Sequence, residues 1–257
     1  MTEPEAEPVP VPRPAATLVV LRESADGPPD LLLLERARSM KFAGGALVFP
    51  GGSIDPGDYA LAQDLALELG LELDDAAARV AAIRETLEES GLAVGLSPIP
   101  DSAALAALRG AMAAGSDFGT LLAQAGLSLD LGALVPFARW LPPGRIGVPR
   151  FDTRFYLARA DADAQASVDE TENVRLTWSS AAGALASSAM IIFPTRRNLE
   201  RLAQFADYAA ACADAALYPI DIITPWMEDR DGAPHLCIPA GRGYPVTAQL
   251  LADVMRG

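Results

Sequence analysis

Apolar residues along the chain change their period, and the changes mark its elements. Residues 15–21 and 30–34 are apolar runs separated by S-A-D-G-P-P-D, a turn signal, so together they predict a hairpin. A third run, 46–49, stops at Pro50-Gly51-Gly52, where proline and glycine end regular structure. Residues 59–73 are rich in leucine and alanine and predict a helix. Asp74 and Asp75 then suit the N-cap of a second helix that runs to about Ser90, with Gly91 as its stop. Val80, Ile83 and Leu87 recur at helical spacing within it and form one apolar stripe. Further on, 102–125 predicts one or two helices broken around Gly115. Residues 134–140, 154–160 and 174–178 predict strands, and 195–216 one long helix entered after Pro194. The tail from Tyr218 mixes short runs with turn residues.

Neither an internal repeat nor a linker interrupts this pattern. It predicts one α/β (α+β) domain over 14–257, elaborated by insertions at about 59–73 and 97–130. Residues 1–13 are acidic and proline-rich, a composition expected of a disordered lead-in.

Composition narrows the chemistry. The chain is 51% hydrophobic and 21% charged, the balance of a soluble globular protein. Its longest apolar runs fall far short of the ~20 residues that span a bilayer. The N-terminal residues lack the basic start of a signal peptide, and the last three, Met-Arg-Gly, are no peroxisomal address, so a cytoplasmic location is expected. Cys212 and Cys237 have neither disulfide-framework nor metal-ligand spacing. His235 is the single histidine, which speaks against histidine-based zinc sites and Ser-His-Asp triads. Catalysis must then rest on carboxylates, arginines and metal. A net charge of −14 repels nucleic acid and anionic membranes, so neither is an expected partner. An anionic substrate would need locally gathered arginines, or cations that screen the acids.

The chemistry-bearing stretch is Arg84-Glu85-Thr86-Leu87-Glu88-Glu89-Ser90-Gly91-Leu92. On a helix, Glu85, Glu88 and Glu89 fall at i, i+3 and i+4 and share one face. Adjacent like charges repel, and a structural role rarely calls for three; a hard divalent cation with oxygen ligands, Mg²⁺ or Mn²⁺, offsets that repulsion. An acidic solvated face would look similar, but Arg84 and the upstream Pro-Gly-Gly turn favour a site. Arg84 can orient a carboxylate through its planar fork, and the bare backbone of the turn can approach a metal or phosphate closely.

R-E-x-x-E-E-x-G, preceded by a strand ending in F-P-G-G, resembles the Nudix box. Five fixed residues at average frequencies recur by chance about once in 10⁶ windows. The family pattern is G-x5-E-x7-R-E-U-x-E-E-x-G-U, where U is bulky and apolar. Gly52 matches its first glycine, but Asp58 stands in place of the first glutamate, Thr86 in place of an aliphatic residue, and 25 residues rather than 7 separate Asp58 from Arg84. The split box, the stretch LLLLERARSMKFAGGALVFPGGSIDPGD and the later WLPPGRIGVPRFDTRFYLA are similar to the coenzyme A diphosphatase-like Nudix proteins related to the mammalian peroxisomal enzyme.

That resemblance implies a Nudix fold, a mixed β-sheet sandwiched between helices. It also implies metal-dependent hydrolysis of the pyrophosphate bond in a nucleoside diphosphate linked to another group. Glu88 and Glu89 are then metal ligands with the Gly52 carbonyl nearby, Glu85 is a ligand or positions the water, and Arg84 orients it. A further acid from a later loop is expected, with Glu172 the first choice and Glu170 the next. Arg36, Arg38, Lys41 and Arg154 are the expected substrate-binding bases. Trp140, Phe151 and Phe155 are expected first as core residues, with stacking on adenine as the second reading. CoA or acyl-CoA is the expected substrate, giving adenosine 3′,5′-bisphosphate and 4′-phosphopantetheine, with ADP-ribose or a dinucleotide such as NADH as the alternative. A nucleotide-binding domain without catalysis fits less well, because all three box glutamates are present. An isomerase on the same fold would use cysteine and histidine near the site, which this chain lacks. A homodimer is compatible with the sequence, which does not fix the oligomeric state.

Overall fold

The structure, a computed structural model, describes residues 10–39, 43–144, 149–168 and 173–254. Its spine is the first strand, β1 (Arg13–Ser24), which turns at Ala25 and Asp26 into the antiparallel β2 (Gly27–Arg36). The short β3 (Leu47–Val48) pairs with β2, and β4 (Gly51–Ser53) returns onto the first half of β1, with Gly52 opposite Ala16. Two helices follow, α1 (Pro56–Leu69) and α2 (Leu73–Ser90). Next come β5 (Leu96–Ser97), α3 (Ser102–Ala113), α4 (Phe118–Ala125) and β6 (Ser128–Leu129), where β5 and β6 pair and close the base of a two-helix excursion.

The chain then re-enters the main sheet through β7 (Val135–Trp140), β8 (Phe151–Ala160) and β9 (Asn173–Ser180). β8 lies parallel to β1 from Arg13 opposite Phe151 to Arg22 opposite Ala160, and β9 lies antiparallel to β2. Three helices cover the far face: α5 (Ala181–Ala186), α6 (Phe193–Leu202) and α7 (Tyr208–Ala215). β10 (Ile222–Ile223) extends the mixed sheet to the order β10-β7-β8-β1-β2-β3. A separate sheet, β11 (Trp226–Arg230), β12 (Ala233–Cys237) and β13 (Ala248–Leu250), ends in α8 (Leu251–Val254). Among the described residues no helix is long and apolar enough to cross a membrane.

Strand alternation explains the sandwich. On β1, Ala16, Leu18 and Val20 face the core under α1 and α2, while Val19 and Leu21 face the core under α6 and α7. β2 and β8 divide the same way, so a strand such as Leu31-Leu32-Leu33-Leu34 is apolar without a break because both of its faces are buried. Each such leucine contributes about 1.5–3 kcal/mol. α2 is buried nearly all round: Ala76, Ala77, Ala78, Ala81 and Ala82 let it approach its neighbours closely, beside the expected Val80, Ile83 and Leu87.

Two expectations need correction. Glu72, not Asp74 or Asp75, occupies the α2 cap position. Asp75 is taken up by Arg79, whose Nε donates to it at 2.8 Å, and by the Tyr156 hydroxyl at 2.7 Å. The long helix over 195–216 is two helices, α6 and α7. No proline or glycine marks the break; Phe205 turns into the core there, and the Asp207 side chain accepts from Ala210 N at 2.7 Å to start α7. The tail from Tyr218 holds a small sheet that its turn residues obscured.

Arg79 joins α2 to the segment before β7. Its Nη1 donates to the carbonyls of Leu131 (2.9 Å) and Leu134 (2.6 Å), and its guanidinium lies over the Tyr156 ring. Arg79→Leu leaves both carbonyls and Asp75 without this donor. Urea unfolding should show a loss of about 2–5 kcal/mol, and a change under 0.5 kcal/mol would contradict this account.

Candidate active site

Helical spacing puts three carboxylates at the C-terminal end of α2, and the return of β4 along β1 brings backbone against them. Glu89 is buried: its Oε2 accepts from Gly51 N and its Oε1 from the Asn173 side-chain amide on β9, each at 2.9 Å. Glu85 packs on Gly52, where an added Cβ would overlap its carboxylate. Glu88 is the most open of the three side chains, its Oε2 3.2 Å from Arg84 Nη1.

Arg84 orders this group. Its Nε and Nη2 donate to the two oxygens of Asp58, each at 2.9 Å, Nη2 also donates to the Ser53 carbonyl at 3.0 Å, and Nη1 reaches Glu85 at 2.9 Å. Asp58, 2% exposed, also accepts from Asp55 N at 2.8 Å as the third residue of α1. Asp58 thus anchors the arginine. Asp55-Pro56-Gly57-Asp58, an N-cap followed by proline and then an acid, was the sequence signal for its place in a helix start.

Burial pushes the Glu85 carboxyl up to about 8, with Arg84 opposing the rise and Glu89 and Glu88 adding to it. Glu88 is also raised, first by burial, with Arg84 again opposing. Burial works against the charge of Arg84, yet its bonds to Asp58 and the nearby glutamates hold it above its ordinary value. The acids therefore remain incompletely neutralised, and all of their donors are oxygens. Among the described residues no group of three or more histidine, cysteine or acidic side chains is already arranged to hold a metal ion. The donor chemistry and the bare backbone at Gly52 fit a divalent ion.

Two clefts meet at Glu85. One, of about 720 Å³, runs past Glu88, Glu89 and Gly91 to the face of α3 and to residues 165–168. The other, of about 450 Å³, runs past Gly51, Gly52 and Ser53 to Arg36, Arg150, Phe151, Trp140 and Phe155. Of the bases named from sequence, Arg36 lines the second cleft. Arg38 is exposed and lines neither. Arg154 lines neither as well: on β8, Phe151, Thr153 and Phe155 face the cleft, and Arg154 alternates to the opposite side, where its charge acts on Tyr59 and Tyr156. Lys41, Glu170 and Glu172 lie outside the described residues. Phe151 and Phe155 line the cleft, while Trp140 joins its wall to the core, its Nε1 donating to Tyr244 at 3.1 Å.

Sequence reading missed three residues: Asn173, which holds Glu89; Arg150, whose buried Nε has no hydrogen-bond partner; and Arg109, which donates to the Glu88 carbonyl at 2.7 Å and to Ser167 at 2.8 Å. Each comes from a distant segment and belongs to no local motif.

Comparison with known proteins agrees with this geometry. Residues 68–192, which include the helical half of the motif, match the family model described as the NUDT19 Nudix domain. The chain is similar to a NUDIX hydrolase from Alicyclobacillus acidocaldarius: 28% identity, a TM-score of 0.68, and coverage of 79% of this chain and 96% of that one. The NUDIX domain of Shewanella oneidensis NrtR, solved with ADP ribose, is more distant, at 14% identity and a TM-score of 0.44 over 76% of this chain and 88% of that one.

The close approach at Gly52 separates site from scaffold. Gly52→Ala displaces the end of a flexible side chain, so the thermal midpoint should hold, while misplacing Glu85 should lower kcat/KM roughly 10²-fold. At Gly51 an added Cβ would overlap the Ala16 carbonyl, which is backbone, so Gly51→Ala should lose stability. Thermal melts beside kinetics check both, and unchanged kinetics for Gly52→Ala would remove Glu85 from the site.

Proposed function

The chain belongs to the Nudix superfamily, and from that premise we propose a substrate. It is a Nudix pyrophosphohydrolase, which hydrolyses nucleoside diphosphate derivatives with a divalent metal ion. In our reading the derivative is CoA or acyl-CoA, cut to adenosine 3′,5′-bisphosphate and a 4′-phosphopantetheine compound. The observation that carries this reading is the smaller cleft: in a chain of net charge −14, Arg36 and Arg150 line it together, beside Phe151 and Phe155. Aromatic faces suit adenine and the two bases suit an extra phosphate on the ribose. The similarity of residues 68–192 to the NUDT19 Nudix domain supports the same branch.

In this proposal Glu88 and Glu89 hold Mg²⁺ or Mn²⁺, with Glu85 and the Gly52 carbonyl adjoining. When bound, such an ion supplies neutralisation of the pyrophosphate charge and activation of water. Glu85 stands where the clefts meet and positions the attacking water, its carboxyl suited by burial to hold or release a proton near neutral pH. Arg84 fixes Glu85 through Nη1 while Asp58 fixes Arg84. Asn173 and Gly51 N hold Glu89 at a set rotamer. Glu172, next to Asn173 in sequence, is the proposed additional acid.

Glu89→Gln removes one charged ligand and should lower kcat roughly 10²-fold or more at limiting Mg²⁺. Near wild-type turnover would reject the ligand assignment.

The substrate reading is tested by comparing CoA with 3′-dephospho-CoA in the wild type and in Arg36→Ala and Arg150→Ala. A phosphate contact should make CoA the better substrate, and its loss should cost about 1.5–3 kcal/mol in kcat/KM. Equal rates on the two compounds would move ADP-ribose or NADH to the front.

A further inference from the structure

We infer that the larger cleft, walled by α3, binds the second arm of the substrate, and that this arm is an uncharged chain rather than a second nucleotide. This rests on the reading that the pyrophosphate is cut at Glu85. Both clefts open from that carboxylate, so a substrate with a group on each side of its pyrophosphate places one arm in each.

The two clefts differ in chemistry. The smaller one holds Arg36 and Arg150. The larger is lined by the acids Glu85, Glu88 and Glu89 where it meets the smaller, and otherwise mainly by apolar residues, Leu105, Ala106, Met112 and Ala113 of α3 with Ala166 and Val168. Ser102, Gln165 and Ser167 among them are uncharged. Arg109 is the single base among its described lining residues, and it is committed to protein: Nε to the Glu88 carbonyl and Nη1 to Ser167 Oγ. Those bonds brace α3 against the end of α2 and against the opposite wall. A phosphate or carboxylate beside α3 would be desolvated against apolar and uncharged groups, near three acids, with Arg109 already bonded to protein. An alkyl or amide chain faces apolar surface instead, and about 720 Å³ is room for a substantial one. α3 belongs to the excursion between β5 and β6, so that excursion builds the wall.

Two positions on α3 allow the cleft to be filled without touching the core. Ala106 is exposed, and an added Cβ at Gly110 meets nothing within 4 Å. The probes are ADP esters of methanol, butanol, octanol and dodecanol, assayed with Mg²⁺ and with Mn²⁺. In the wild type kcat/KM should rise roughly two- to fourfold per methylene until the cleft is full, then level off. In Ala106→Trp and Gly110→Trp, at independent sites, the ratio of dodecyl to methyl kcat/KM should fall at least tenfold. A flat profile in the wild type, or a profile both variants leave intact, overturns the inference. A rising profile combined with equal rates on CoA and 3′-dephospho-CoA upholds the cleft and rejects the named substrate. Hydrolysis of none of the esters rejects both.

Discussion

A guanidinium withdrawn from water has to be met by acceptors on every side, and in this protein that requirement is placed on Arg84. Asp58 takes two of its nitrogens and the Ser53 carbonyl shares one of them, which leaves Nη1 for Glu85 and Glu88. Removing a partner from such a buried pair costs about 3–5 kcal/mol, so the contact is a constraint on the fold as well as on the site. It spans the 25 residues between Asp58 and Arg84 because of simple geometry. From Asp58 the chain runs out along α1 to Leu69, turns at Gly70, which is left-handed at φ 64, and returns along α2 from Leu73 to Arg84. The outward and return legs are of equal length, about 16 Å each at 1.5 Å per residue. A helical hairpin with equal legs adds residues without moving its ends apart.

The same hairpin places three acids in an unfavourable position. The C-terminal end of a helix carries the negative end of its dipole, and Glu85, Glu88 and Glu89 all lie in the last turns of α2. Packing gives Glu85 and Glu89 little solvent to relieve it, because α2 is covered by the sheet on one side and by α1 and α3 on others, while Glu88 is the more open. Arg84 and the backbone amide of Gly51 offset part of the charge, and a divalent cation offsets more. Instability of the empty site and affinity of the occupied one therefore have the same origin.

How much of this was legible in the sequence depended on the range of each interaction. The hairpin of β1 and β2, the helix ending at Gly91 and the strands β7 to β9 announce themselves through local period and turn residues, and the structure has them all within a few residues. The break between α6 and α7 did not, since Phe205 leaves the helix for a tertiary contact that no neighbour in sequence signals. At the site, the glutamates of α2 were readable because their spacing is local. Arg154 looked like a ligand base beside aromatic residues, but strand alternation sends it to the other side from Phe155. Arg150, four residues away on the same approach to the sheet, lines the cleft instead.

Charge is placed unevenly along the two clefts. With a net charge of −14, the protein as a whole repels an anionic nucleotide, so attraction has to be local. The described bases that line the two clefts are few and unevenly divided: Arg36 and Arg150 in one, and in the other Arg109, which is bonded to the protein wall. The acids sit between. For the substrate proposed above, such a gradient from basic through acidic to apolar gives the pyrophosphate a direction, because exchanging its two arms would set a phosphate-bearing nucleoside against apolar helix and leave two arginines facing an uncharged chain. Orientation of this kind decides which phosphorus lies beside Glu85, and so which of the two ends leaves carrying the new oxygen.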